Sequence, residues 1–119
     1  MDKTYRWVKM MELEEAKALL KEGQAISFKI EQHTVCLSLW QGHFRAIKDR
    51  CPHAGASLGE GWCDEQGMVV CPLHRIKFDP NNGKNVSGEG YYLPTYPLDE
   101  RADGLYIGFE IKQAWWKWW

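Results

Sequence analysis

Two short segments, each pairing a cysteine with a nearby histidine, constrain this chain more than any other feature. They are Cys51-Pro52-His53 and Cys71-Pro72-Leu73-His74, and 17 residues separate His53 from Cys71. Proline follows each cysteine, and because it fixes φ near about −65° and lacks a backbone donor, it stiffens both segments. Two thiolates and two imidazoles on matched short loops predict a metal site with four protein ligands: Cys51, His53, Cys71 and His74.

Two kinds of metal site fit these ligands. One is a [2Fe–2S] cluster in which two histidines replace two cysteines on one iron. The other is a single zinc ion, but zinc fingers usually place both cysteines in one segment and both histidines in the other. Since each segment here supplies one residue of each type, the spacing favours iron–sulfur, with zinc as the alternative.

The residues around the four ligands resemble those of a known family. The segments 51–58 (Cys-Pro-His-Ala-Gly-Ala-Ser-Leu) and 71–83, with its Phe-Asp pair at 78–79 and its glycine at 83, are similar to Rieske iron–sulfur domains. The resemblance runs from about Gln24 to Lys112 and includes the small ferredoxins of ring-hydroxylating dioxygenase systems. It implies one Rieske-type [2Fe–2S] cluster per chain, with Cys51 and Cys71 on an inner iron and His53 and His74 on an outer iron.

Length and composition bound the remaining possibilities. A chain of 119 residues predicts one domain, 1–119, with a cluster-binding subdomain at about 50–80. A net charge of −1 provides no attraction for nucleic acid. The sequence shows neither a signal peptide nor a stretch that would span a bilayer, so we expect a soluble, cytoplasmic protein and have no reason from these features to expect a membrane partner. We also expect a monomer.

The other cysteines and histidines are expected to be structural. Cys36 and Cys63 are predicted to be free thiols because disulfides are rare in the cytosol, with Cys36 buried in an apolar strand. His33 and His43 are predicted to be exposed hairpin residues. A mononuclear site of two histidines and one carboxylate would need both, and no carboxylate spacing supports it.

Hydrophobic periodicity predicts an all-β fold with one short helix near the N-terminus. The helix is predicted at Glu12–Glu22, with Leu13, Ala16 and Leu20 on one face and Gly23 as its stop. Alternating apolar residues predict strands at about 5–10, 26–30, 35–39, 43–47 and 105–111, although Ile47 breaks the alternation. Together with the resemblance, the pattern predicts an antiparallel β sandwich or barrel base of the Rieske type with an inserted cluster-binding subdomain.

Neighbours of the ligands indicate a low reduction potential. In high-potential relatives, hydroxyl residues lie two and four positions after the second ligand histidine, and a disulfide joins the two loops. Ile76 and Phe78 occupy the first two positions here, and Ala56 and Leu73 replace the disulfide cysteines. We therefore expect a potential near the low end of the Rieske range, about −150 mV.

Two further segments depart from the family or are unusual. Many relatives cover the cluster with a Gly-Pro loop, but residues 87–92 lack that step, so Tyr91 and Tyr92 either shield the cluster or pack in the ordinary way. The C-terminal residues 114–119 contain four tryptophans. They are expected either to fold back on the base or to dock a redox partner or a membrane surface.

The resemblance implies a one-electron carrier. Such a protein takes electrons from a flavin-dependent reductase and passes them, through transient contacts, to a terminal oxygenase or another redox partner. Two alternatives remain: a small Rieske subunit of a larger reductase of the nitrite-reductase type, and a redox-sensing regulatory module. No nucleophile, base or substrate pocket is evident, so we expect no catalytic residues and no enzymatic activity of the chain alone.

Overall fold

The computed structural model describes residues 3–53 and 55–111. Ala54 and the Trp-rich residues 114–119 lie outside this part of the chain. The described residues form, in order, β1 (Thr4–Met11), α1 (Leu13–Leu19), β2 (Ala25–Ile30), β3 (His33–Trp40), β4 (His43–Lys48), a 3₁₀ helix (Leu58–Glu60), β5 (Trp62–Cys63), β6 (Val69–Val70), β7 (Lys77–Phe78), β8 (Thr95–Tyr96), β9 (Leu98–Arg101) and β10 (Gly104–Ile111).

The strands form three antiparallel sheets. One sheet has the order β1-β10-β9, a second has the order β2-β3-β4-β8, and a small third sheet has the order β5-β6-β7. The predicted all-β architecture with one short N-terminal helix is confirmed. The small sheet lies within the segment 50–80, where both predicted ligand pairs are found.

A first hydrophobic core joins the two larger sheets and the helix. Ala16 and Leu20, on the predicted apolar face of the helix, are both fully buried against it. The core also contains residues from β1 to β4 and from β10: Met11, Ile30, Val35, Leu37, Phe44, Ala46, Leu105, Ile107 and Phe109. Burying this many large apolar side chains supplies most of the stability of the base.

A second core lies on the opposite face of β3 and β4, beneath the predicted ligands. Successive strand residues point to opposite faces, so Val35 and Leu37 enter the first core while Cys36 enters the second. Ile47, the register partner of Cys36 on β4, belongs to the second core as well. The break in alternation at Ile47 therefore marks a strand that is buried on both faces.

The helix and the ends of some strands differ from the predictions. The helix stops at Leu19, because Leu20 already has an extended backbone with φ −126° and ψ 120°. Gly23, predicted as the helix stop, instead adopts φ 81° in the turn that leads into β2. Ile111, at the end of β10, is 51% exposed.

His33 was wrongly predicted to be an exposed hairpin residue. It is half-buried, and its ring stacks on Phe109 at a centroid distance of 4.2 Å and an interplanar angle of 17°. The Tyr96 ring also packs edge to face with the His33 ring, at a centroid distance of 6.0 Å. His43 is exposed as predicted.

Candidate metal centre

Each predicted ligand pair lies on its own loop, and the same type of backbone hydrogen bond closes both loops. In the first ligand loop, residues 51–56, the Cys51 N–H donates to the Ala56 carbonyl at 2.8 Å. In the second ligand loop, residues 71–76, the Cys71 N–H donates to the Ile76 carbonyl at 2.8 Å. The same closure in both loops places each cysteine at the base of its loop, where both are fully buried.

A buried carboxylate closes the neck of the first ligand loop. Asp49 is only 8% exposed, and its Oδ2 accepts hydrogen bonds from Ser27 Oγ at 2.6 Å and Ser57 Oγ at 2.7 Å. Its Oδ1 accepts from the Gly59 N–H at 2.6 Å. Glycine is required at position 59 because a Cβ there would lie 2.2 Å from the Ser27 nitrogen. These contacts fix both ends of the loop to β2.

The second ligand loop connects the paired strands β6 and β7. Val70 and Lys77, which are paired across β6 and β7, hold the two ends of the loop together. The Lys77 ammonium also lies 2.9 Å from Asp64 Oδ2. His74 and Arg75 both have left-handed backbones, with φ 62° and 56°. Non-glycine residues adopt this conformation at a cost, so the loop holds the His74 ring in place against backbone strain.

Burial opposes ionisation of Asp64, but its partners outweigh that effect. The Lys77 ammonium and the N–H groups of Met68 and Gln66 hold the pKa of Asp64 below its usual range. The carboxylate is therefore charged at neutral pH, and it ties β7 to the turn that precedes β6.

The two loops bring the predicted ligands together as two pairs. The thiols of Cys51 and Cys71 are neighbours, and burial together with the adjacent Cys51 thiol raises the pKa of Cys71. The imidazoles of His53 and His74 lie edge to face at a centroid distance of 4.9 Å and an angle of 81°. Both histidines are exposed, so the site has a buried sulfur side and an exposed nitrogen side.

This donor set fits a binuclear cluster. Within residues 3–53 and 55–111, no three His, Cys, Asp or Glu side chains converge closely enough to hold one metal ion. The donors instead form a thiol pair and an imidazole pair, as a [2Fe–2S] centre with cysteines on one iron and histidines on the other requires. A tetrahedral zinc site would draw all four donors around one point.

Tyr91 contacts the site, whereas Tyr92 does not. The Tyr91 hydroxyl lies 3.1 Å from Nδ1 of His53, and its half-buried ring packs against the second core. Tyr92 is 69% exposed. The two tyrosines therefore differ: Tyr91 covers one side of the site, whereas Tyr92 faces solvent.

The two remaining cysteines are buried free thiols, as predicted. Burial raises the pKa of Cys36 well above its usual value. Burial also raises the pKa of Cys63 to about 11. Both groups therefore stay protonated at neutral pH and act as small apolar side chains of the second core.

Sequence reasoning missed two polar residues that shape the site. Asp49 precedes the first ligand loop, and Asn85 organises the segment that carries Tyr91. The partners of Asp49 include Ser27, which is 22 positions away. No local pattern reveals such a contact, because a polar residue near a turn usually faces solvent.

No helix in the described ranges has the length and apolar character needed to cross a lipid bilayer.

Comparisons with known proteins agree with this geometry. Residues 6–97 match the Rieske [2Fe-2S] domain. The chain is 31% identical over 91 residues to the ferredoxin component of an alkene monooxygenase system from Xanthobacter autotrophicus, covering 76% of this chain and 75% of that protein. It is 37% identical over 87 residues to the 3-phenylpropionate/cinnamic acid dioxygenase ferredoxin subunit of Escherichia coli K12, covering 72% of this chain and 81% of that subunit.

A solved structure shares the fold. The ferredoxin of carbazole 1,9a-dioxygenase from Nocardioides aromaticivorans superposes with a TM-score of 0.74 at 22% identity, covering 85% of this chain and 95% of that one. The domain match covers most of the chain and includes both ligand loops. The chain therefore belongs to the Rieske [2Fe–2S] family.

Proposed function

We propose that this protein is a soluble, cytoplasmic one-electron carrier of the Rieske ferredoxin type. In this role it passes electrons from a flavin-dependent reductase to a terminal oxygenase. The observation that carries the proposal is the pairing of two buried thiols with two exposed imidazoles on matched loops. The two curated relatives, each a ferredoxin component of an oxygenase system, support the same role.

The four residues of the two loops are the proposed cluster ligands. Cys51 and Cys71 would hold the inner iron, and His53 and His74 the outer iron. A bound [2Fe–2S] cluster supplies reversible one-electron transfer. The loops keep water from the thiol side, while the exposed imidazoles give an electron a short path to the surface.

The side chains near the thiol pair support a low potential. Hydrogen bonds to the sulfurs raise the potential of such clusters. Ile76 is 2% exposed and Phe78 fully buried, so apolar groups lie where high-potential relatives place hydroxyls. We expect a midpoint potential near about −150 mV, measured by a dye-mediated titration.

The exposed side of the site, formed by His53 and His74, is the proposed docking surface. Leu73, between the two ligands of the second loop, is 48% exposed, and Tyr92 is 69% exposed next to the residue that contacts His53. Exposed apolar side chains beside a redox centre fit a small, transient protein contact. The two alternative roles, reductase subunit and redox sensor, need a stable complex or a regulatory response instead.

Stopped-flow reduction of a panel of ring-hydroxylating oxygenases tests this role. The chemically reduced protein is expected to reoxidise in a second-order reaction with at least one oxygenase. Leu73→Glu and Tyr92→Glu should each slow the reaction about tenfold with an unchanged visible spectrum, because a charge would be desolvated on docking. Leu19→Glu is the matched control, since Leu19 is 50% exposed on the helix.

A reduced protein that none of the oxygenases reoxidises but that co-purifies stably with a large reductase would contradict the carrier role. A reaction that Leu19→Glu slows as much as Leu73→Glu would contradict the proposed docking surface.

A further inference from the structure

We infer that Asn85 is a positioning residue that holds Tyr91 against His53 and so closes the side of the site that a Gly-Pro loop covers in many relatives. The inference concerns the cover segment, residues 85–91, and it rests on the proposed role of His53 as a ligand. Three steps lead from Asn85 to the imidazole.

The first step is the hydrogen bonding of the Asn85 side chain. Its Nδ2 lies 3.0 Å from the Lys77 carbonyl, 3.1 Å from Ser87 Oγ and 3.0 Å from Glu89 Oε1, so its two N–H groups are shared among these three acceptors. Its Oδ1 accepts from the N–H groups of Glu89 at 2.6 Å and Gly90 at 2.8 Å. The half-buried Asn85 amide therefore forms hydrogen bonds with residues along most of the cover segment.

The second step is the connection to the second ligand loop. Besides the Asn85 contact, the Lys77 N–H donates to Ser87 Oγ at 2.9 Å, and the Val86 N–H donates to the Lys77 carbonyl at 2.9 Å. Lys77 directly follows the second ligand loop. The cover segment is therefore fixed to the same residue that ends the loop carrying His74.

The third step is the placement of Tyr91. The Asn85 N–H donates to the Tyr91 carbonyl at 3.1 Å, which closes the segment at its end. The Tyr91 ring then lies beside the His53 ring, at a centroid distance of 5.9 Å and an interplanar angle of 59°. The half-buried Tyr91 ring therefore covers one side of the His53 imidazole.

Packing alone does not hold the cover segment. Gly88 and Gly90 have φ values of 96° and 82°, and a Cβ added at either would meet nothing within 4 Å. The segment therefore extends into open space, and its conformation depends on the hydrogen bonds of Asn85. Asparagine suits this role because one side chain supplies both amide donors and a carbonyl acceptor.

The experiment compares rates of cluster loss in the full-length holoprotein. Asn85→Ala, Tyr91→Ala and the double variant are incubated in air-equilibrated buffer, and bleaching of the visible absorption is followed. We expect each single variant to lose its cluster about tenfold faster than the parent protein. The double variant should also be about tenfold faster, because Asn85 acts through Tyr91.

A matched control and a conservative variant separate positioning from general stability. Asn82→Ala removes the single hydrogen bond that Asn82 Oδ1 accepts from the Lys84 N–H at 2.9 Å, in the preceding turn, and should leave the rate within about twofold. Tyr91→Phe removes only the hydroxyl and keeps the covering ring. It should therefore lose its cluster at a rate within about twofold of the parent protein.

Several outcomes would overturn the inference. These are a double variant that is about a hundredfold faster, an Asn85→Ala rate equal to that of Asn82→Ala, or a Tyr91→Phe rate as fast as that of Tyr91→Ala. A parent protein that binds no cluster would overturn the proposed ligands and this inference together. A parent protein that holds a cluster but reduces no oxygenase would overturn only the proposed function.

Discussion

The two ligand loops each carry a cysteine and a histidine that are proposed ligands, and the same type of hydrogen bond closes both, yet the loops are held in place in different ways. The first ligand loop joins β4 to a 3₁₀ helix, and the buried Asp49 closes it by accepting from two hydroxyls and a backbone amide. The second ligand loop joins two paired strands, and the ion pair of Asp64 and Lys77 braces it.

The backbone conformations differ as well. Gly55, the fifth residue of the first ligand loop, has φ 73°, which glycine adopts at no steric cost. Arg75 occupies the matching position of the second ligand loop with φ 56° and follows His74, which is also left-handed. The strand pairing of the second loop offsets this strain, whereas the first loop depends on a partly buried polar network around Asp49.

The comparison shows that matched ligand positions do not require matched supports. A loop without flanking strands needs its polar groups satisfied inside the protein, and it is sensitive to the loss of any one of them. A loop within a strand hairpin tolerates strained residues because the ladder determines where its ends lie. Substitutions at the supports should therefore affect the two loops unequally.

The largest effect is expected for Asp49→Ala in the first ligand loop. It would leave the Gly59 amide without its acceptor, and the Ser27 and Ser57 hydroxyls, 2.7 Å apart, would keep only their contact with each other. We expect a loss of about 3 kcal/mol, or a fall in Tm of about 12 °C, in thermal unfolding of the holoprotein. Asp99→Ala, at an exposed ion pair with Arg101, is the control and should cost less than about 0.5 kcal/mol. Equal losses of stability in Asp49→Ala and Asp99→Ala would contradict the proposed role of the Asp49 network.

A smaller effect is expected for Asp64→Asn beneath the second ligand loop. At pH 7 the loss of the partly buried ion pair with Lys77 should cost about 1 kcal/mol. Because the pKa of Asp64 is lowered in the folded protein, its stabilisation is complete above the unfolded value of about 3.9 and disappears as the pH falls through the folded value.

The difference between Asp64→Asn and the parent protein should therefore shrink below about pH 4. Denaturant unfolding as a function of pH measures it. A difference that grows as the pH falls would contradict the ion-pair account.

The smallest effects concern the left-handed positions, and they should have opposite signs. A Cβ at Gly55 would lie 3.5 Å from the Arg50 guanidinium, an ordinary contact, so Gly55→Ala should cost about 1 kcal/mol through φ alone. Arg75→Gly relieves the same strain and should stabilise the protein by up to about 0.5 kcal/mol. Unfolding midpoints of the two variants test this, and a destabilised Arg75→Gly would show that the Arg75 side chain matters more than its φ.

Features that depend on local sequence were predictable. The Cys-Pro-His and Cys-Pro-Leu-His segments identify the candidate ligands because each pair lies within four residues. Strand periodicity identified β1 to β4 and β10 because one face of each enters a core. Thus the fold class and the candidate site both followed from short-range patterns.

Features that depend on distant contacts were not predictable. Ile47 breaks the alternation because the second core covers the other face of β4, and no residue near it in sequence signals that core. His33 is half-buried because Phe109, far along the chain, stacks on it. Asn85 resembles any loop asparagine until its contacts with Lys77 and Gly90 are seen.

The central claim, that two thiols and two imidazoles on the paired loops hold one [2Fe–2S] cluster, is tested most directly by EPR of the purified protein before and after dithionite. The account predicts no signal from the oxidised protein and a rhombic signal of low average g after reduction. It further predicts that this signal is lost in both His53→Ala and Cys71→Ser but retained in His43→Ala, the exposed-histidine control. A colourless protein that carries one zinc per chain and gives no signal on reduction would contradict it.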